Sequence, residues 1–400
     1  MKKNNVLYIA NAIPYSEIAH AGGKTFNYYV QKLLEQGNVN ITIVGISKKD
    51  EKKYIHNNLN KKIYPVYSKG DFVINLKRIV FDLFGIIFHK IKCGNSFYKF
   101  YKIKKILCGL KNNNYHPDTI ILEWTNMVLL IEEIKKIYPN ARIIGSEHDV
   151  SFLGAYRKYK LALDKNKSVL KREYEKLKKK EVNAIELCDY VFTQSKKDAD
   201  LLINEGIDEN KIIVISPYYH NMSCIKRQNI NHNILFWGAM YRAENYEAAI
   251  WFINNVMPLL ADTDVKFIVV GNRPPEILRK LSSEKVIVTG FVEDETSYFA
   301  QSMCFVSPLL TGAGIKVKVL EALSVGIPIL TNDIGIEGIY AKDCESFFYC
   351  KKPAEYANII KMILKNKDLI EEMSYKQKKV IENYYDLDKS SEIYCKTINY

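Results

Sequence analysis

Residues 308–338 constrain this chain more than any other stretch: PLLTGAGIKVKVLEALSVGIPILTNDIGIEG. A short apolar strand over 304–306 leads into it, and a turn through Gly312 and Gly314 follows. Ile315, Val319 and Ala322 then recur at helical spacing. Gly326 stands where a helix C-cap belongs, Pro328 forbids continuation, and residues 327–330 read as a buried strand. A second turn of small residues, 332–338, closes the stretch. A glycine turn opening a helix leaves backbone N–H groups unpaired at the positive end of the helix dipole, a natural phosphate seat. Lys316 and Lys318 fall in that first turn, where cations oppose the dipole and make sense only beside an anion. Glu321 shares the face of Lys318, and a carboxylate beside a phosphate seat suits a ribose diol, from which it accepts two hydrogen bonds. The bland alternative is a strand–helix–strand unit with a solvated Lys/Glu face.

This stretch closely resembles the nucleotide-sugar-binding segment of the group-1 (family 4) retaining glycosyltransferases, of the bacterial surface-polysaccharide type. The resemblance implies an α/β chain of GT-B fold: two Rossmann-like doubly wound domains facing a cleft, with a C-terminal helix crossing back to the first domain. It makes Glu321 the ribose ligand, and Lys318, Lys316 and the amides at Gly314 the diphosphate ligands. Gly335, Glu337 and Gly338 match the family's G-x-E-G turn. Upstream, residues 234–238 form a strand ending at Gly238, and Arg242 follows before a helix expected over 246–260. That opening resembles the family's strand, G-x-M, P-N segment, which makes Gly238 and Arg242 donor ligands. Thr289 and Gly290, after a strand, match the segment that approaches the nucleotide base. Two positions depart from the family. Ala313 stands where many members carry a glutamate near the transferred sugar, and Asn245 where many carry a basic residue.

Four hundred residues predict two or three domains, and 48% apolar with 26% charged residues is ordinary soluble composition. The net charge of +13 fits an anionic partner, or simply the Lys-, Asn-, Ile- and Tyr-rich usage of a low-GC genome. Eight cysteines include no C-x-x-C and no zinc-like pairing with histidine, so they read as free thiols in a reducing cytoplasm. The N-terminus lacks the apolar core of a signal peptide; residues 6–10 read as a first strand.

After that strand, Gly22 and Gly23 lie in a loop before a helix expected from Phe26, an arrangement friendly to anions and, by the resemblance, bordering donor diphosphate and acceptor. Residues 40–44 are the next strand. Residues 76–111 hold nine Lys or Arg against Asp82 alone, interleaved with apolar and aromatic residues. The apolar run is too short to span a bilayer but suits an anionic membrane surface; a packed helix pair with a solvated lysine face is the alternative. Residues 119–123 and 142–146 are strands, the second ending in Glu147, His148 and Asp149. Ligands gather at such strand ends, and the family places a polar motif there, which makes His148 the candidate for orienting sugar or acceptor, with Glu147 and Asp149 behind it. Residues 165–187 form a long charged helix. The polar stretch 221–233 is the domain linker, giving an acceptor domain 1–220, a donor domain 234–384 and a returning helix 385–400.

The implied reaction moves a sugar from a UDP- or GDP-sugar to a hydroxyl of a glycan or lipid-linked acceptor. Cations and amides at the departing diphosphate lower the barrier, which gives Lys318 and Arg242 catalytic roles beside His148. No convincing D-x-D motif calls for a metal, and no further cofactor is required. The expected location is cytoplasmic, peripheral on the inner face of the cell membrane, in bacterial polysaccharide or glycoconjugate synthesis. Two other readings compete: a GT-B-fold epimerase or phosphorylase, and a non-catalytic basic protein binding nucleic acid or lipid. The second leaves Gly314, Lys318 and Glu321 unexplained, so no nucleic-acid partner is expected.

Overall fold

Strand β1 (Asn4–Ala10) shows why the N-terminal sequence folds as it does. Leu7 and Ile9 enter one apolar cluster while Val6, Tyr8 and Ala10 enter another, all of them buried. A strand buried on both faces belongs inside a parallel sheet covered by helices. Around it lie β2 (Val39–Lys48), β3 (Lys61–Lys69), β4 (Thr119–Glu123), β5 (Arg142–Glu147), β6 (Tyr190–Thr193) and β7 (Ile212–Val214). All pair in parallel, in the order β3-β2-β1-β4-β5-β6-β7. Winding reverses between β1 and β4, and the register sets Ala10 opposite both Gly45 and Glu123. β3 was not singled out in the sequence; it sits at the sheet edge, where its Pro65 is tolerated.

A second sheet repeats the plan with β8 (Asn231–Trp237), β9 (Lys266–Val270), β10 (Val286–Gly290), β11 (Ser302–Ser307), β12 (Ile329–Thr331) and β13 (Phe348–Tyr349). Its order is β10-β9-β8-β11-β12-β13, again parallel throughout. Both sheets therefore follow the Rossmann 3-2-1-4-5-6 succession, and in the second the winding reverses between β8 and β11. Phe236, Phe252, Phe267 and Tyr356 fill the core beside this sheet.

This is a computed structural model, and it describes residues 3–69, 72–87, 96–366 and 368–399. The chain forms two compact units, Met1–Tyr218 with Leu387–Tyr400, and Tyr219–Asp386. The polar stretch 221–233 belongs to the second unit, and its last residues open β8. The last helix, Leu387–Asn399, belongs to the first unit. Tyr394 explains why: its hydroxyl lies 2.9 Å from that of Tyr8, and its ring 4.5 Å from Tyr29 and 4.8 Å from Phe192. The seven described cysteines are unpaired, and Cys93 lies outside the described residues. Among the described residues no helix is long and apolar enough to cross a membrane.

Two sequence expectations are corrected. The helix expected from Phe26 begins at Ala21, so Gly22 and Gly23 lie within its first turn and not in a loop. His20 makes this possible by accepting the Gly23 N–H at 2.9 Å through Nδ1, which caps the helix. The helix expected over 246–260 runs over Ala243–Asn255, with a separate 3-10 turn at Met257–Leu260. Asn245 thereby enters a helical first turn.

Candidate functional site

In the second unit the candidate residues collect where the winding reverses, at the carboxyl ends of β8 and β11. From β11 the chain turns through Gly312 and Gly314 into the helix Val317–Val325, whose N-cap is Lys316. The turn needs glycine: φ is +131° at Gly312 and +68° at Gly314. From β8 the chain passes Gly238 into the helix Ala243–Asn255, whose N-cap is Arg242. Two helix N-termini thus face the same strand ends. They are joined by Lys318, whose ammonium donates to Asn245 Oδ1 at 2.6 Å. Asn245 is held in turn by donating to the Ala239 carbonyl at 3.0 Å. A Cβ on Gly238 would lie 3.1 Å from Asn245 Nδ2 and 3.5 Å from Lys318 Nζ, so the missing side chain leaves that ammonium approachable.

Lys318 also sits 4.6 Å over the Phe236 ring. Burial lowers its pKa to about 7, and the positive Lys316 and Arg242 push the same way against Glu244 and Glu321. Near neutral pH this lysine is poised between neutral and charged. Lys316 is placed differently. Its ammonium binds the Ala313 carbonyl at 3.2 Å and the Gly314 carbonyl, and lies 3.7 Å from Glu337. It therefore ties the glycine turn to the turn after β12, where Gly335 accepts no side chain because a Cβ would lie 2.7 Å from the Ser307 carbonyl.

Glu321 is 8% exposed and accepts from Trp237 Nε1 at 3.3 Å and from the His220 backbone N–H at 3.4 Å. The segment carrying His220 is pinned to the same helix where the Met222 N–H donates to Ser324 Oγ at 3.0 Å. Arg242 is exposed and paired with Glu244. Thr289 and Gly290 end β10, two strands from β8, and the three strand ends are linked. Gly238 N–H donates to Val270 O at 3.1 Å and Gly271 N–H to Gly290 O at 3.0 Å. The structure thus brings Gly238, Asn245, Lys318 and Glu321 into one cluster, Gly314, Lys316 and Glu337 into an adjoining one, and leaves Thr289 and Gly290 at its flank. Trp237, the His220 amide and Gly271 join the site without having been singled out in the sequence. Trp237 lay one residue from a candidate glycine, whereas nothing local marks a backbone amide a hundred positions away.

The first unit has its own cluster, also beside the winding reversal. His148 follows β5 and stacks on Trp124 with ring centroids 4.5 Å apart and planes 9° from parallel. Gln194 Nε2 donates to His148 Nδ1 at 2.9 Å, which leaves the ring proton on Nε2 to meet Glu123 Oε2, also at 2.9 Å. Both ring nitrogens are therefore engaged. Trp124 holds a left-handed backbone (φ +72°), rare for a bulky residue and tolerated where its surroundings over-determine it. Gly22 belongs here because a Cβ would lie 3.1 Å from Trp124 Nε1 and 3.2 Å from His148 Nδ1. On Gly23 it would strike Ile18 at 2.2 Å, so both glycines answer to packing.

Glu147 points elsewhere, into the interior. It bonds Thr125 Oγ1, its Oε1 has no partner, and burial pushes its carboxyl well above the usual range, with Glu181 adding to the push. Glu181 is pushed up by burial too, but accepts the N–H groups of Ser151 and Phe152 at 2.8 and 2.9 Å. Burial thus favours the protonated form of both carboxyls, with Glu181 raised to about 8. Asp149 offers its backbone carbonyl to Thr125 at 3.5 Å.

Comparison with known proteins bears on the fold. A protein of the cps region of Klebsiella pneumoniae, itself uncharacterized, is 26% identical over 184 residues; the match covers 43% of this chain and 47% of that protein's length. Among solved structures, sucrose-phosphate synthase from Thermosynechococcus elongatus superposes with a TM-score of 0.73 at 12% identity, over 99% of this chain and 98% of that one. HepE of Anabaena, solved in complex with UDP-glucose, gives 0.67 at 11% identity over 99% of each chain. These likenesses fix the fold as GT-B. Residues 231–366, which contain the Lys318 and Glu321 cluster, match the family described as Glycosyl transferases group 1, and the chain thus carries a group 1 glycosyltransferase domain.

Proposed function

We propose that this protein is a retaining glycosyltransferase that moves a sugar from a nucleoside-diphosphate sugar to a hydroxyl of a glycan or lipid-linked acceptor in bacterial polysaccharide synthesis. The observation that carries the reading is the meeting of two helix N-termini, Lys318 and Glu321 at one winding reversal inside the group 1 domain. Glu321 accepts from Trp237 and from the His220 amide, and a carboxylate, with its several lone-pair sites, suits a ribose diol. The helix N-termini and the Lys318 ammonium receive the diphosphate, and Arg242 lies exposed at the N-cap of the second helix. As the sugar–phosphate bond breaks, charge grows on the leaving diphosphate, and each such contact contributes ~2–4 kcal/mol there. In this reading these cations do the work that a metal performs elsewhere. HepE in its complex with UDP-glucose favours a uridine donor.

Both ring nitrogens of His148 are committed, so a sugar or acceptor hydroxyl would be oriented by it only on displacing Gln194 or Glu123, and it is not assigned the abstraction of a proton. Residues 76–111 are assigned to an anionic membrane surface on the cytoplasmic side. The helix Phe72–Ile87 exposes Leu76, Ile79, Val80 and Leu83, and the helix Phe97–Asn112 exposes Tyr101; residues 88–95 lie outside the described ones.

Incubating the protein with radiolabelled UDP- and GDP-sugars and a bacterial lipid extract tests the reaction. Label is expected in the lipid or glycan fraction from one donor class, and not with Glu321→Ala. Conversion of the donor sugar without any acceptor would instead identify an epimerase.

A further inference from the structure

The hairpin of helices Ser151–Leu161 and Asp164–Glu186 packs on the core of the first unit through its base, with Tyr174 and Leu177 half-buried against that core, while its connecting end is exposed. In the 23-residue second helix only Glu181, Ala184 and Ile185 are buried, and in the first only Phe152. Residues 164–180 amount to roughly 25 Å of helix without a buried side chain. Tyr174 holds the two helices together, with ring centroids 5.3 Å from Tyr156 and 6.4 Å from Tyr159. Water should suit the end of such a hairpin with polar residues. Instead Leu161 is 68% exposed, Leu163 84% and Val169 49%. Exposed lysines surround them at 158, 160, 165, 167 and 171, against Asp164 as the one acid between 158 and 171.

Three apolar side chains on a narrow tip fall far short of the ~800 Å² per partner that a stable protein interface buries. A lipid surface asks for no matching shape. It takes leucines into the acyl boundary while lysine stems lie along the interface and their ammoniums meet anionic headgroups.

We propose that the tip of this hairpin is an anchoring element that docks on an anionic lipid surface. It adds a contact to the one assigned to residues 76–111, rests on the same peripheral-membrane reading, and is carried by different residues. The glycosyltransferase assignment does not enter it.

The test is co-sedimentation of the full chain with vesicles of equal parts phosphatidylcholine and phosphatidylglycerol, and with phosphatidylcholine alone. Wild type is expected to pellet with the anionic vesicles in a salt-sensitive way and to stay in solution with the neutral ones. Leu161→Asp/Leu163→Asp and, separately, Lys165→Glu/Lys167→Glu are expected to weaken partitioning about tenfold or more, with unchanged melting temperature. Ile79→Asp/Leu83→Asp reports on the other contact. If both tip variants partition like wild type while the Ile79/Leu83 variant is lost, the tip proposal is overturned and the contact of 76–111 stands. If wild type ignores anionic vesicles, both are overturned.

Discussion

Lys318 carries a folding cost that binding of an anion would offset. Its pKa is lowered from 10.5 to about 7, chiefly by burial. A lysine depressed in the folded state opposes folding fully below its folded pKa, and the penalty fades as pH rises toward the unfolded value. Lys318→Met is therefore expected to raise the melting temperature more at about pH 6 than at about pH 9, measured without ligand. An equal gain at both would mean that the ammonium is not strained. A bound diphosphate reverses the sign by favouring the charged lysine, so nucleotide affinity should decline as pH rises above about 7. Gly314, Lys318 and Glu321 were singled out in the sequence by the glycine turn, the cation opposing the helix dipole, and the family resemblance. What Asn245 does was not legible there: it reads as a lost basic residue, yet in the fold it supplies the acceptor that holds Lys318. Lys316 shows the opposite limit, since its sequence position resembles that of Lys318 while its ammonium closes the turn.

At the scale of elements, the strands and the helix around 302–331 followed from apolar runs punctuated by glycine and proline. The start of the helix Ala21–Glu35 did not, because His20 caps it and histidine is an uncommon cap. β3 was not singled out either; its Pro65 is harmless at an edge. The last helix makes a sharper claim. Tyr394 is buried among Tyr8, Tyr29 and Phe192, so Tyr394→Ala should destabilise the first unit by about 3–5 kcal/mol, in the range of other buried aromatic truncations. Denaturant melts monitored by circular dichroism measure this. A loss under about 1 kcal/mol would mean that the helix is not part of that core.

At the scale of the molecule, the two units repeat one strand order, and each gathers polar residues at its own winding reversal. The sequence of the second unit exposes its chemistry in a single run, because turn, helix and following strand are adjacent in the chain. The first unit assembles Gly22, Glu123, Trp124, His148 and Gln194 from a helix start and three strand ends, and of these the sequence analysis singled out His148 and Gly22. The central claim is that the second unit binds a nucleoside diphosphate through Lys318 and Glu321. Calorimetric titration of UDP into wild type, Lys318→Ala and Glu321→Ala tests it most directly. The account predicts micromolar binding to wild type, weakened by at least ~1.5 kcal/mol, about tenfold, in each variant. Binding of equal strength in all three proteins would contradict it.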